Sequence, residues 1–141
     1  MSKLQTIIDD FEYLEDWEDR YRYLIEIGKA LPDMPEEDRT EDNKVKGCAS
    51  QVWLVAETKP GEAGDPTMVF RGDSDAHIVR GLVGIVLAAT SEQSASDVEK
   101  FDEAALLAKL GLGEHLTPQR ANGLHAMVMR IKAHAAAARA G

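Results

Sequence analysis

Only one cysteine, Cys48, occurs in the 141 residues. An internal disulfide is therefore excluded, and the chain falls short of the roughly three or four thiolates that structural zinc and iron–sulfur sites need. A reducing, cytoplasmic setting is the expectation. Cations are also scarce, with 16 Lys and Arg against 25 Asp and Glu for a net charge of −9. Such a balance repels phosphate backbones and anionic lipid, so neither nucleic acid nor membrane is expected as a partner. The start, Met1-Ser2-Lys3-Leu4, runs straight into Asp9, Asp10 and Glu12 instead of an apolar stretch, which argues against an export signal. The longest apolar run, Gly81 to Ala89, is far shorter than the roughly 20 residues of a membrane span. No glycine-rich phosphate loop is present, since Gly111-Leu112-Gly113 lacks both a third glycine and a preceding strand. Trp17, Tyr21 and Tyr23 are interleaved with no basic residues beyond Arg20 and Arg22, a poor base-stacking surface.

What remains is enough for a core. With 44% hydrophobic and 29% charged residues, a chain of this length buries about two-thirds of its unfolded surface, and residues 1–141 are read as one domain. Leu4, Ile7, Ile8, Phe11 and Leu14 recur at helical spacing, and Trp17, Tyr21, Leu24, Ile25 and Leu31 repeat the pattern after a break at Glu15 and Asp16. Pro32 and Pro35 end the second helix, and Asp33 to Lys46 is a polar surface loop. Gln51 to Thr58 and Thr67 to Arg71 are strands, joined as an antiparallel hairpin by the Pro- and Gly-containing stretch Lys59 to Pro66. A further short strand near Lys44 to Lys46, with helices on one face, would complete the sheet. Asp73 or Ser74 is placed to cap a buried helix carrying Ile78, Val79, Leu82, Val83, Ile85, Val86 and Leu87. Ser96-x-x-Glu99 forms a capping-box pattern, Asp102 can cap a helix over Glu103 to Leu110 that Gly111 ends, and Thr117-Pro118 opens the last helix. That helix carries Leu124, Met127, Val128 and Ile131, with Arg130, Lys132 and Arg139 complementing the dipole at its end and a fraying tail over Ala133 to Ala140. The fold class is α+β: N-terminal helices, a small antiparallel sheet, and C-terminal helices packed on it.

Chemistry concentrates at Cys48, in Lys46-Gly47-Cys48-Ala49-Ser50, where a long loop meets a strand outside every apolar periodicity. A lone cysteine is ordinarily a buried small hydrophobe, but its small neighbours would admit a partner. Gly47 permits unusual backbone angles, and Lys44 and Lys46 supply charge that would favour the thiolate. His77, His115, His125 and His134 invite a Cys/His hydrolase reading but lie in no hydrolase signature, and no pair has metal-ligand spacing with a carboxylate base. Asp73 and Asp75 could do acid–base work, although helix capping explains them more simply. Arg120 stands in the first turn of the last helix, where a cation opposes the dipole, a hint that something else needs it.

Gly47-Cys48-Ala49-Ser50-Gln51-Val52-Trp53-Leu54, Gly72-Asp73-Ser74-Asp75-Ala76, Ile78-Val79-Arg80-Gly81-Leu82 and His115-Leu116-Thr117-Pro118-x-Arg120-x-x-Gly123-Leu124 together resemble the SufE/CsdE family of sulfur-acceptor proteins. The resemblance runs from the Trp17 helix to the last helix, and its most specific part is Gly-Cys-x-Ser-x-Val-Trp. It implies an α+β fold shared with iron–sulfur scaffold proteins of the IscU kind. It also implies a partner that is a PLP-dependent cysteine desulfurase of SufS or CsdA type, the PLP belonging to that partner and no cofactor to this chain. Cys48 would accept sulfur as a persulfide and pass it to an iron–sulfur scaffold of SufBCD type. Arg120, Asp73, Asp75, Lys46 and Ser50 would lie on the partner-facing surface, and a homodimer is an option for the chain itself. Ala49 departs from the Gln that many SufE members carry, which touches subfamily assignment more than chemistry.

One cysteine suffices for such a carrier, because a second thiol nearby would resolve the persulfide and release its sulfur. The expectation is a sulfurtransferase accessory protein, not a stand-alone catalyst, whose thiol tucks against apolar surface and swings out in the complex. The competing expectation is a non-catalytic activator or adaptor of a partner enzyme, with Cys48 inert.

Overall fold

The computed structural model describes residues 2–48, 50–62 and 64–140. Local capping chemistry sets the first helices. Ser2 Oγ accepts from Gln5 N at 3.1 Å to start α1 (Lys3–Tyr13), and Asp16 Oδ1 accepts from Glu18 N at 3.1 Å to start α2 (Trp17–Ala30). Each satisfies amide donors that a helix start leaves unpaired. After a loop with one 3-10 turn at Glu36–Asp38, β1 (Val52–Glu62) and β2 (Asp65–Ser74) form the hairpin. Helix α3 (His77–Thr90), the two-residue strand β3 (Gln93–Ser94), and helices α4 (Ala95–Glu99), α5 (Glu103–Leu110) and α6 (Pro118–Ala140) complete the chain. The α+β class follows, with an antiparallel sheet of order β1-β2-β3.

Several boundaries differ from the sequence expectation. Both strands run further into the expected turn. Gly61 lets them continue, since a Cβ there would fall 2.4 Å from Asp65 O, and the register shifts between Lys59 and Glu62. Ala63, within that turn, lies outside the described residues. The strand that completes the sheet is β3, paired through Thr67↔Ser94 and Met68↔Gln93, whereas the Lys44 region contributes a single bridge to Trp53. From Glu57 to Glu62 every residue of β1 is exposed, while Met68, opposite Thr58 on β2, is buried in the core.

Neither Asp73 nor Ser74 caps α3. Both end β2 in register with Trp53 and Val52, and the cap position falls on Ala76, which has no capping side chain. Ser74 Oγ accepts from Ala76 N at 3.2 Å instead. The capping box also shifts: Ser94 caps α4 by accepting from Asp97 N at 3.2 Å, while Ser96 is taken by Asp65, which accepts from its amide at 2.9 Å and its hydroxyl at 2.6 Å. Asp102 and the left-handed Gly111 bracket α5 as expected. The alanine-rich tail is not a fray, for α6 continues to Ala140, buries Ala135 and ties Arg139 to Glu99 at 2.9 Å. Arg130 is consequently a mid-helix residue and not a partner for the helix-end dipole.

Helix α3 lies at the centre, burying Leu82, Val83, Ile85 and Val86 against the sheet, α2 and α6. Its contact with α2 is backbone-close, because a Cβ on Gly81 would sit 2.2 Å from Leu24 O and one on Gly28 only 2.9 Å from Gly81 N. Phe11 and Leu24 of the N-terminal helices and Met127, Val128 and Ile131 of α6 join the same core. No helix among the described residues is long and apolar enough to cross a membrane.

Candidate functional site

Backbone pairing delivers Cys48 to its position. Val45 N donates to Val52 O at 2.8 Å and Leu54 N to Asn43 O at 2.9 Å, so the segment carrying Gly47 and Cys48 is closed at its base. Gly47 has φ +92°, a left-handed conformation that side chains disfavour. The chain then meets α6 at Gly123. A Cβ there would stand 3.3 Å from Cys48 Sγ and 3.4 Å from its Cα, so the missing side chain is the space the cysteine occupies. Cys48 Sγ donates a weak hydrogen bond to Gly123 O at 3.5 Å.

Beside the thiol lies a cavity of about 270 Å³ between the start of β1, α3 and α6. Val52, Val83 and Met127 give it an apolar floor, while Ser50, Thr117, Gln119 and Arg120 line its more exposed side. Thr117 Oγ1 caps α6 by accepting from Arg120 N at 3.2 Å, which fixes the backbone from which Arg120 reaches the cavity. Ser50, Arg120 and Cys48 thus share one cavity; Ala49 lies outside the described residues.

The electrostatics differ from expectation. Lys46 Nζ sits 2.7 Å from Glu41, and hydrogen bonding and charge from Lys46, then charge from Lys44, hold the Glu41 carboxyl below its ordinary range. The lysines thus act on Glu41 and do not activate the thiol. Burial pushes the Cys48 pKa up. The seat therefore favours the thiol over its nucleophilic thiolate form.

The two aspartates part company. Asp75 is exposed and braces the far side of the Cys48 segment, its Oδ1 accepting from Gln51 N at 3.1 Å and its Oδ2 from Gln51 Nε2 at 3.4 Å. Asp73 is 0% exposed, so it presents no surface to a partner, and the expected docking role gives way to a structural one. Its carboxylate accepts from Met34 N at 3.0 Å and Arg39 Nη2 at 2.9 Å, with Arg80 Nη1 at 3.4 Å. A buried charge needs such partners. Arg39 in turn lies 5.2 Å over the Trp53 ring, and Arg80 donates to the Gly28 and Leu31 carbonyls, tying α2 and the following loop to the hairpin.

No histidine lines the cavity among the described residues. His115 stacks on Trp17 with ring centroids 3.6 Å apart, His125 Nδ1 lies 2.5 Å from Glu103, and burial followed by the charge of Arg130 lowers the pKa of His134. A Cys/His dyad is not assembled. Sequence reasoning did not foresee the parts played by Gly123, Arg39 and Arg80. A glycine inside a helix is disfavoured by about 1 kcal/mol relative to alanine, and that cost was the available signal that Gly123 admits a close neighbour.

The sequence pattern of a family described as "SufE: Fe-S metabolism associated domain" matches residues 5–135. An uncharacterized SufE-like protein of Rhizobium meliloti (strain 1021) is 58% identical over 135 residues, covering 96% of this chain and 96% of that protein. A second SufE-like protein, from Rhizobium etli, is also 58% identical over 135 residues, covering 96% of this chain and 90% of its own. Among solved structures, a hypothetical protein from Thermus thermophilus superposes with a TM-score of 0.77 at 23% identity over 100% of both chains, which speaks to the fold alone.

Proposed function

The chain belongs to the SufE family, whose role lies in iron–sulfur metabolism, and on that premise we propose that Cys48 is a sulfur acceptor. The partner is a PLP-dependent cysteine desulfurase, and PLP belongs to that enzyme. The observation that carries this reading is the fit of Cys48 to its seat: a single thiol held against Gly123 at the edge of an apolar cavity.

The transfer is an exchange at sulfur. The desulfurase holds its cargo as Cys–S–SH. Once Cys48 has lost its proton to a base or to solvent, its thiolate attacks the terminal sulfur; the new bond joins Cys48 Sγ to that sulfur, the donor's S–S bond breaks, and the donor leaves as a thiolate. The sulfane sulfur changes carrier with no net oxidation. Because the seat favours the thiol and hydrogen-bonds it inward, release from Gly123 would favour the reactive thiolate, and after transfer the same cavity can shield the terminal sulfur from reductants. Exposed Asp75 and Lys46, with Ser50 and Arg120 at the cavity, form the surface a desulfurase would meet. Delivery to a scaffold of SufBCD type completes the role, in the cytoplasm.

Intact-mass spectrometry after incubation with a cysteine desulfurase and free cysteine tests this, run beside Cys48→Ser. The expected result is a gain of whole sulfur atoms that reductant reverses and the variant lacks. The partial burial and raised pKa of Cys48 favour one second reading, an activator of the desulfurase whose own thiol is inert. Under that reading no sulfur is gained, and Cys48→Ala stimulates the desulfurase as fully as the unmodified protein.

A further inference from the structure

Cys48 is held by more than its own contacts. Gly123, Ala126 and Arg130 lie at i, i+3 and i+7 on α6, a spacing that puts them along one helix face over roughly 10 Å. The chain leading to Cys48 follows this face in the opposite direction. Arg130 Nη2 donates to Asp42 O and Nη1 to Lys44 O at 2.5 Å. Ala126 Cβ is 3.5 Å from the position a Cβ on Gly47 would take, and Gly123 receives Cys48 itself. The small residues allow close approach, but they supply no directional bond. The guanidinium does, gripping the carbonyls ahead of the Val45–Val52 pair that closes the segment.

We infer that Arg130 is the positioning residue that seats Cys48, holding the Asp42 and Lys44 carbonyls on α6 and thereby keeping the thiol at Gly123. The grip suits arginine, whose planar fork directs separate N–H groups at two acceptors; a lysine ammonium is a point charge and serves such a pair less well. With Arg130 in place, displacement of Cys48 turns about Gly47 while the segment before it stays on the helix. Without it, the whole approach loosens and the thiol is exposed more often. The consequence for sulfur protection rests on the carrier reading, whereas the seating does not.

The rate at which iodoacetamide alkylates the native, unloaded protein tests the inference, with Arg130→Gln, Arg130→Lys and Arg139→Gln compared at one pH. Loss of charge-assisted hydrogen bonds to the Asp42 and Lys44 carbonyls should raise the rate about tenfold or more in Arg130→Gln and by less in Arg130→Lys. Arg139→Gln, which breaks the pair with Glu99 further along α6, should leave it unchanged. Repeating the measurement in low urea separates seating from stability, because local release is insensitive to denaturant and global unfolding is not. An unchanged rate in Arg130→Gln, an equal rise in Arg139→Gln, or a rise that tracks global unfolding would each overturn the inference. Should Arg130→Gln fail to fold, Arg130→Lys carries the same comparison. Labelling that responds in a protein that never gains sulfur would sink the carrier reading and leave the seating intact; sulfur gain with unresponsive labelling would do the reverse.

Discussion

Cys48 and Gly123, 75 residues apart in sequence, share a contact in which the thiol points at the glycine carbonyl from 3.5 Å. The absent side chain of one is the site of the other, so each constrains what the partner position can be.

Gly123→Ala puts a methyl 3.3 Å from Sγ. The substitution gains about 1 kcal/mol of helix propensity, which offsets the crowding, so the thermal midpoint should move by only a few degrees. Cys48 should nonetheless be alkylated several times faster in the native state. Melting curves and labelling kinetics on one preparation check both halves, and equal labelling rates would show that Gly123 is not the seat.

The thiol gives the protein a pH dependence of defined sign. Burial raises the folded pKa of Cys48 above that of the unfolded chain, so its contribution is fully present below the ordinary thiol pKa of about 8.5 and fades as pH climbs through the folded value. Stability of the wild type should therefore fall relative to Cys48→Ser from about pH 8.5 upward, measured by urea denaturation at a series of pH values. A difference that stays constant across this window would contradict the burial argument.

Asp73 and Asp75, two residues apart, should behave oppositely. Asp73→Ala leaves Arg39 and Arg80 without their buried acceptor and should cost about 3–5 kcal/mol in denaturant unfolding. Asp75→Ala removes exposed hydrogen bonds to Gln51 and should cost less than about 1.5 kcal/mol. Its effect belongs in sulfur transfer with a desulfurase, seen as a higher KM.

Gly81→Ala probes the helix pair at the centre. A Cβ 2.2 Å from Leu24 O cannot be relieved by a side-chain rotation, so α2 and α3 must part, at a cost of about 1–3 kcal/mol or more. Thermal unfolding reads this directly; a midpoint at or above wild type would show that the contact relaxes.

Much of this molecule could be read in advance where local chemistry decides. Asp102 and Thr117 cap their helices, Gly111 takes the left-handed turn, and the apolar run from Ile78 to Leu87 forms the central helix. Reading failed where a distant partner competed for the same group. Ser96 looks like a cap in its own neighbourhood, but the carboxylate of Asp65, 31 residues away, captures it. Asp73 looks like a cap until Arg39 and Arg80 arrive from elsewhere. Lys46 stands two positions from the thiol yet pairs with Glu41. At the site itself, Cys48 and Arg120 were identified as candidates, while the part Gly123 plays depends on α6 returning alongside the cysteine segment, a tertiary fact.

The exposed reach of β1 bears on crowding and solubility. An outer strand offers its unpaired peptide groups to any extended chain that drifts past. Along that reach β1 carries Glu57, Lys59 and Glu62, its Pro60 has no N–H to offer, and the register slips between Lys59 and Glu62. A neighbouring strand would meet charge, a missing donor and a broken ladder in succession. The backbone edge along this reach is thereby closed to casual strand pairing, which favours a chain that stays apart from its neighbours in a crowded solution.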